Sequence, residues 1–413
     1  MKKLIAVFAL IALVTGAAFA DVSVAGAVET RLYIRGNSDD FENSTKIGGL
    51  IGTAWMQLSG SNDNGSMSGT FRLRGQDIAH IVPSYASSDP NVGQEVFKWH
   101  KAFVSWRPIE QLKLWLGQDA DGLFEGAALA GWAYHQGSEE YLCVQHWDFW
   151  RLIYPGNWDG FGLAVSVYAV EDLDINLVIP TGKAHGWPRH QNSQLEEAPK
   201  FIDMFVSGLK LTANYKIFGV GTVMFSWRGP YNSADGYDLT NFNDRTSKTF
   251  NYKEFGLLGL SFLLDGPVEG LKAHLGASYY INANDGVDSP INLGLTAHYQ
   301  NGDWGAKARI GSVIQLRDAG GMYMSFSLMP FYNISKVGNL FVDFGMSVNK
   351  PSSSEDAVVG WFLTPYFKKS IGNGYVQCGF GLFNKINHYG DSFVAPNDDF
   401  IKFHIPMLMG ISL

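Results

Sequence analysis

The feature that most constrains this chain is a two-residue alternation of apolar and polar positions, interrupted by connections that are by turns long and short. Leu271, Ala273, Leu275, Ala277, Tyr279 and Ile281 oppose Lys272, His274 and Ser278. Ile291, Leu293, Leu295, Ala297 and Tyr299 oppose Asn292, Thr296, His298 and Gln300, and Leu340, Val342, Phe344, Met346 and Val348 oppose Asp343, Gly345 and Ser347. Alternation of this kind marks strands with one apolar and one polar face. Eighteen such strands are expected, starting near residues 22, 50, 66, 96, 111, 141, 160, 202, 219, 253, 271, 291, 303, 321, 339, 358, 374 and 400. Leu173 to Ile179 is either a further strand or an extension of its neighbour, which leaves the count open by two. Long links (77–95, 119–140, 171–201, 229–252, 385–399) alternate with tight ones such as Asp265 to Gly270 and Asn301-Gly302. Short turns at one end, long loops at the other and an even strand number define a transmembrane β-barrel. The fold class is therefore all-β, an antiparallel membrane barrel of about 18 strands (16–18). The last segment agrees: Phe403, Ile405, Met407, Met409, Ile411 and Leu413 alternate to the final residue, as closure against the first strand requires.

Composition fits a chain with one face in lipid. Charged residues make up 17%, against roughly 25% in ordinary globular chains. Aromatics reach 14%, there are 47 Gly, and the mean hydropathy of −0.03 is too low for a helical membrane protein. Trp106, Trp147, Trp150, Trp158, Trp227, Trp304 and Trp361 lie near expected strand ends, where interfacial girdles sit. At the N-terminus, Lys2 and Lys3 precede an apolar run from Leu4 to Val14, and Ala18-Phe19-Ala20 supplies small residues for a signal peptidase. Residues 1–20 are expected to be a cleaved leader, and 21–413 a single barrel domain. The remaining chain has 29 basic and 39 acidic residues, a net charge of −10 that argues against nucleic-acid binding. Cys143 and Cys378 lie far apart and are expected as two free, buried thiols.

No nucleophile elbow, phosphate-binding loop or zinc-protease motif occurs, so neither an enzyme activity nor a cofactor is expected. His185 and His190 beside Trp187 read as a solvated loop rather than a metal site, and Asp235 to Asp244 lacks calcium-loop spacing. On strand phase, Arg72 and Arg74 share a face with Ser68 and Thr70, opposite Phe71 and Leu73. An Arg facing mid-membrane lipid costs about 2–4 kcal/mol, so these point into the lumen, where charges are expected to stay solvated.

Taken as a whole pattern, the chain resembles the bacterial porins, most closely the eighteen-stranded major-outer-membrane-protein or substrate-tolerant porin barrels. The sharpest local match is Leu112-Lys113-Leu114-Trp115-Leu116-Gly117-Gln118 running into a third long loop that begins Asp119-Ala120-Asp121-Gly122-Leu123-Phe124-Glu125-Gly126. The resemblance implies that loop 119–140 folds inward, with Asp119, Asp121 and Glu125 facing Arg31, Arg35, Arg72 and Arg74 across the pore. Lys272 with His274 and Lys307 with Arg309 are secondary inward charges. Two departures stand out. The third loop lacks the Pro-Glu-Phe-Gly-Gly-type turn of enterobacterial porins, and the chain ends in Leu413 rather than Phe. The implied function is passive diffusion of small hydrophilic solutes and ions across the outer membrane. Its partners would be outer-membrane lipid, the barrel-assembly machinery and two further copies in a homotrimer. A substrate-specific channel for sugars or peptides, with Tyr33, Trp115 and Trp132 as a stacking track, is the alternative. A soluble exported carbohydrate-binding or adhesive β-protein is a third reading.

Overall fold

The computed structural model describes residues 21–76, 98–119, 161–180, 209–228, 254–282, 291–314, 322–350, 356–385 and 401–412. Its strands are β1 (Asp21–Asn37), β2 (Lys46–Ser61), β3 (Met67–Gln76), β4 (Lys98–Ile109), β5 (Leu112–Asp119), β6 (Phe161–Val170), β7 (Leu173–Pro180), β8 (Lys210–Ile217) and β9 (Gly221–Arg228). They continue as β10 (Glu254–Asp265), β11 (Leu271–Asn282), β12 (Ile291–Asn301), β13 (Trp304–Ile314), β14 (Met322–Ile334), β15 (Gly338–Lys350), β16 (Val358–Ile371), β17 (Gly374–Gly379 and Gly381–Asn384) and β18 (Lys402–Ser412). One helical turn, α1 (Phe41–Ser44), lies between β1 and β2. The two pieces of β17 both run between β16 and β18, so the barrel has 18 strands, broken once at Phe380. Every strand pairs antiparallel with its neighbours in sequence, and β18 pairs with β1 from Ala27↔Ser412 to Asn37↔Lys402. No edge is left open.

Closure depends on tight hairpins at one end. Gly302 takes φ 61° in the two-residue link between Asn301 and Trp304, a left-handed conformation that a side chain would strain. Aromatic rings lie over glycines along the wall, as where a Cβ on Gly410 would stand 2.6 Å from the Tyr375 ring. That ring crosses β18 and its hydroxyl donates to the Glu29 carboxylate on β1.

The expected alternation decides which way each side chain points. Leu260, Leu275, Leu293, Ile310, Phe326, Phe344 and Leu363 follow one another from β10 to β16 as exposed residues on the outside. Their in-between neighbours Ser261, His274, Thr296, Arg309, Ser327, Asp343 and Thr364 are buried on the inside. An apolar belt running around a closed ring is stable only in hydrocarbon. Outward aromatics flank it. Trp106, Tyr215, Trp304 and Tyr332 sit near the tight turns, while Trp227, Tyr279 and Trp361 sit toward the long-loop ends. Trp147, Trp150 and Trp158 lie outside the described residues.

Three expectations are corrected. Leu173–Pro180 is a strand of its own, joined to β6 by Glu171-Asp172, so the 171–201 link begins only after Pro180. Asp172 adopts φ 60° there, a conformation acids reach more readily than most residues, but Glu-Asp lacks the glycine that flags a hairpin. The strand expected from residue 141 and the link 154–160 lie outside the described residues. Because β5 pairs directly with β6 (Leu112↔Val167 to Gln118↔Phe161), no strand intervenes in the ladder, and the third long connection spans 120–160. Finally, Cys378 is free but exposed, on the outward phase of β17. A lipid-facing site accepts a thiol as readily as a core does. Cys143 lies outside the described residues.

Candidate functional site

The chemistry of this barrel is on its inner wall, and strand register places it. Along β1–β5 the inward row carries Arg35, Arg72, Lys101 and Lys113. Arg72 Nε donates to Gln57 Oε1 at 2.8 Å, and its guanidinium carbon lies 4.5 Å from the centre of the Trp55 ring. Arg35 lies 5.7 Å from the Tyr33 ring, which stacks on His404 at 5.4 Å. Lys113 Nζ stands 3.8 Å from the Trp115 ring, whose Nε1 donates to Ser166 Oγ at 3.0 Å. Cation–π contacts of this kind stabilise by about 0.5–1 kcal/mol at wet sites and more where dry. Arg31 and Arg74 occupy ladder positions in the same phase, opposite Leu408 and Trp55, and Asp119 stands opposite Lys101. Asp121 and Glu125 lie outside the described residues, as do Trp132, His185, His190 and the segment Asp235 to Asp244. Tyr33 and Trp115 are on strands four apart, each packed on its own neighbours, and are not brought together.

Close to diametrically opposite, β11–β13 present a compact basic block. Lys272, His298 and Lys307 form one ladder layer. His274, Thr296 and Arg309 form the next, two residues along. Facing residues on neighbouring strands hold their Cβ atoms about 4.5–5.5 Å apart. His274 is 1% and Thr296 0% exposed, and both His274 ring nitrogens and Thr296 Oγ1 lack a hydrogen-bond partner among the described residues. Leaving such a group dry costs about 1–3 kcal/mol, so this part of the wall carries a local cost to stability. At the turn-side rim, Lys272 Nζ pairs with Asp265 Oδ2 at 3.0 Å.

Between these walls, β14–β17 carry an aromatic patch. Phe341 stacks on Tyr366 at 4.5 Å with 7° between ring planes, and tilts against Phe331 at 5.7 Å. The Tyr366 hydroxyl donates to Met329 Sδ at 3.1 Å. Phe362 and Phe383 pack together beside them. Sequence reading missed this patch because aromatics occupy both phases here. Its trace was visible in the odd positions Met329, Phe331 and Phe341, which are apolar where a lumen row would be polar.

Inward charges were expected to be solvated, yet Lys210, Arg309, Asp343 and Lys402 are buried. Where contacts are resolved, long side chains lie along the wall over rings and amides instead of reaching into the lumen, as with Arg72 and Lys113. The balance of sign is lopsided. Among the described side chains, the wall adds Lys210, Lys216, Lys272, Lys307, Arg309, Lys368 and Lys402 to the four bases of β1–β5, against the inward carboxylates Glu29, Asp174, Asp265 and Asp343, with Asp119 at an inward ladder position. Among the described side chains, the inner wall of this acidic chain is basic.

Such a barrel, apolar outside and charged inside, has the architecture of the outer-membrane porins, and comparison with solved structures shows that fold. The structure aligns over 95% of its length with 99% of the anion-selective porin from Comamonas acidovorans, at 13% identity and a TM-score of 0.52. It aligns over 95% with 97% of Salmonella typhi OmpF in complex with daunomycin (11% identity, TM-score 0.53). A BenF-like porin from Pseudomonas fluorescens Pf-5 is matched over 96% of this chain and all of that one, at 8% identity and a TM-score of 0.54. No protein-family model and no curated sequence matches the chain.

Proposed function

We propose that residues 21–413, after removal of the leader 1–20, form an outer-membrane channel through which small hydrophilic solutes and ions diffuse passively. The observation that carries this reading is the two-sidedness of a closed 18-strand wall, with an exposed apolar belt outside and rows of Ser, Thr, Lys and Arg inside. Closure of 16–18 strands leaves room for an aqueous path, whereas an eight-stranded barrel fills its own interior. Residues 120–160 are long enough to narrow that path. In this reading Asp119, Asp121 and Glu125 form the acidic side of a constriction, and Arg31, Arg35, Arg72 and Arg74 form the basic side. Insertion would use the barrel-assembly machinery, and the assembled form would be a homotrimer.

Reconstitution into planar bilayers tests the reading. Stepwise conductance that scales with salt concentration is the expected result. Recovery of the protein in the aqueous fraction without detergent would sink it, since a barrel with this outer surface cannot leave the membrane unaided.

A further inference from the structure

We propose that an apolar pocket on the outer face of β17 and β18 holds one acyl chain of an outer-leaflet lipid, apart from the fluid lipid around the barrel. The proposal rests on the membrane barrel and not on the channel reading. The pocket has a volume of about 370 Å³, within the size range of ligand cavities, and apart from Ser38 at its edge the lining is apolar. Phe380 and Leu382 of β17 form one side, with Ile401, Phe403 and Ile405 in and beside β18 forming the other. Phe380, Ile401 and Ile405 are exposed and continue the lipid-facing belt.

The sequence explains why the wall is hollowed here. Pro365 on β16 and Pro406 on β18 flank the break in β17, and neither has an N–H to give to the ladder. Phe380 N donates to Pro365 O at 3.0 Å, but Pro365 cannot return the bond. On the other side, β17 pairs with β18 as far as Cys378↔Met407 and again only from Gly381↔His404. The upper side of the pocket is held open. Ser38 N donates to Ile401 O at 2.8 Å, and Ile401 N donates to Ser38 Oγ at 3.0 Å. Phe41 of α1 stacks on Phe403 at 5.4 Å, and the Phe403 ring lies over Gly36, where a Cβ would stand 2.8 Å from it. Trp361 pairs with Asn384 one rung beyond Phe383↔Lys402, so this upper edge is level with a girdle tryptophan at the long-loop end. Ile405 is four residues below Ile401, roughly 13 Å along the strand. The pocket thus starts at headgroup level and runs down into hydrocarbon. Left empty, its lining would forfeit dispersion contacts, and water would find little beyond the Ser38 hydroxyl to bond.

Full-length protein reconstituted in phosphatidylethanolamine vesicles, extracted into mild detergent and weighed by native mass spectrometry, tests the site. The wild type should keep one phospholipid per chain. Leu382→Trp, which fills the pocket, should cut the retained fraction at least fivefold. Phe41→Ala, which removes the upper ring from outside the spanning strands, should do the same even if Leu382→Trp fails to insert. Leu293→Trp, on the outward face of β12, should leave retention within about twofold. Equal retention in all of these proteins, or none in any, overturns the site, because the lipid is then ordinary surrounding lipid. If Leu382→Trp splits a wild-type oligomer into single chains and retention does not change, the pocket seats a neighbouring copy and the lipid proposal falls. Conductance plays no part in the readout, so failure of the channel reading would leave the result standing.

Discussion

The wall formed by β1–β5 and the wall formed by β11–β13 both present basic side chains to the lumen, but they hold them differently. On the first, Arg72 rests on Trp55 and Gln57, Arg35 lies over Tyr33, and Lys113 covers Trp115. On the second, Lys307 and Arg309 stand beside His298, Thr296 and His274, with Lys272 in the same layer as Lys307. A cation seated on a ring has already found a partner for part of its field and is fixed in place. On the second wall like-signed groups stand close together, and their fields add in the adjacent lumen. Counting charges around a lumen therefore does not say which wall a solute will use.

The sharpest way to break this contrast is to disturb the faces themselves. Leu275→Arg places a charge on the outward side of β11 and should destabilise the inserted barrel by about 2–4 kcal/mol. Ser278→Arg, three positions on and inward, should insert normally. Heat-resistant mobility on denaturing gels reads both, and equal tolerance of the two would mean that the outer belt does not face hydrocarbon.

A smaller effect is expected on ion selectivity. Neutralising Lys307 and Arg309 should shift the reversal potential toward cations more than neutralising Arg35 and Arg72. Asp119→Asn with Asp121→Asn should shift it toward anions. All three shifts should grow in dilute salt, because exposed charges are screened over about 8–10 Å at physiological ionic strength. Equal shifts from both walls would remove the distinction drawn between them, and no shift from the acids would leave residues 120–160 without a role in narrowing the pore.

The smallest effect concerns the ring that seats Arg72. Trp55→Leu should lower stability by about 0.5–1 kcal/mol beyond the packing lost, the usual size of a cation–π contact. The double change with Arg72→Gln, compared with each single change in denaturant, isolates that coupling. Additive costs would show that the ring does not hold the guanidinium.

Much of this was legible in sequence, for a physical reason. A membrane barrel has only two environments per strand, so the phase of Arg72 against Phe71, or of Lys307 against Ala308, follows from alternation alone. Register does not. That Lys272, His298 and Lys307 form one layer is set by the lengths of the hairpins at 266–270 and 302–303, and neighbouring strands read separately cannot show it. The β6–β7 hairpin was left open between a further strand and an extension because Asp172 turns the chain without glycine. Cys378 was assigned to the interior because apolar preference cannot distinguish a packed core from lipid.

Tyr375 reaches Glu29 across β18 from 346 residues further along the chain, and Met409 pairs with Thr30 at a similar remove. Until those last residues are in place, one margin of β1 has no ladder to join. An unpaired strand margin invites other chains, and pairings between distant parts of a sequence form slowly. The polypeptide therefore remains vulnerable to misassembly until β18 is in place beside β1. Truncating even a few terminal residues should be felt first at the start of the chain, as an unprotected N-terminal strand open to protease.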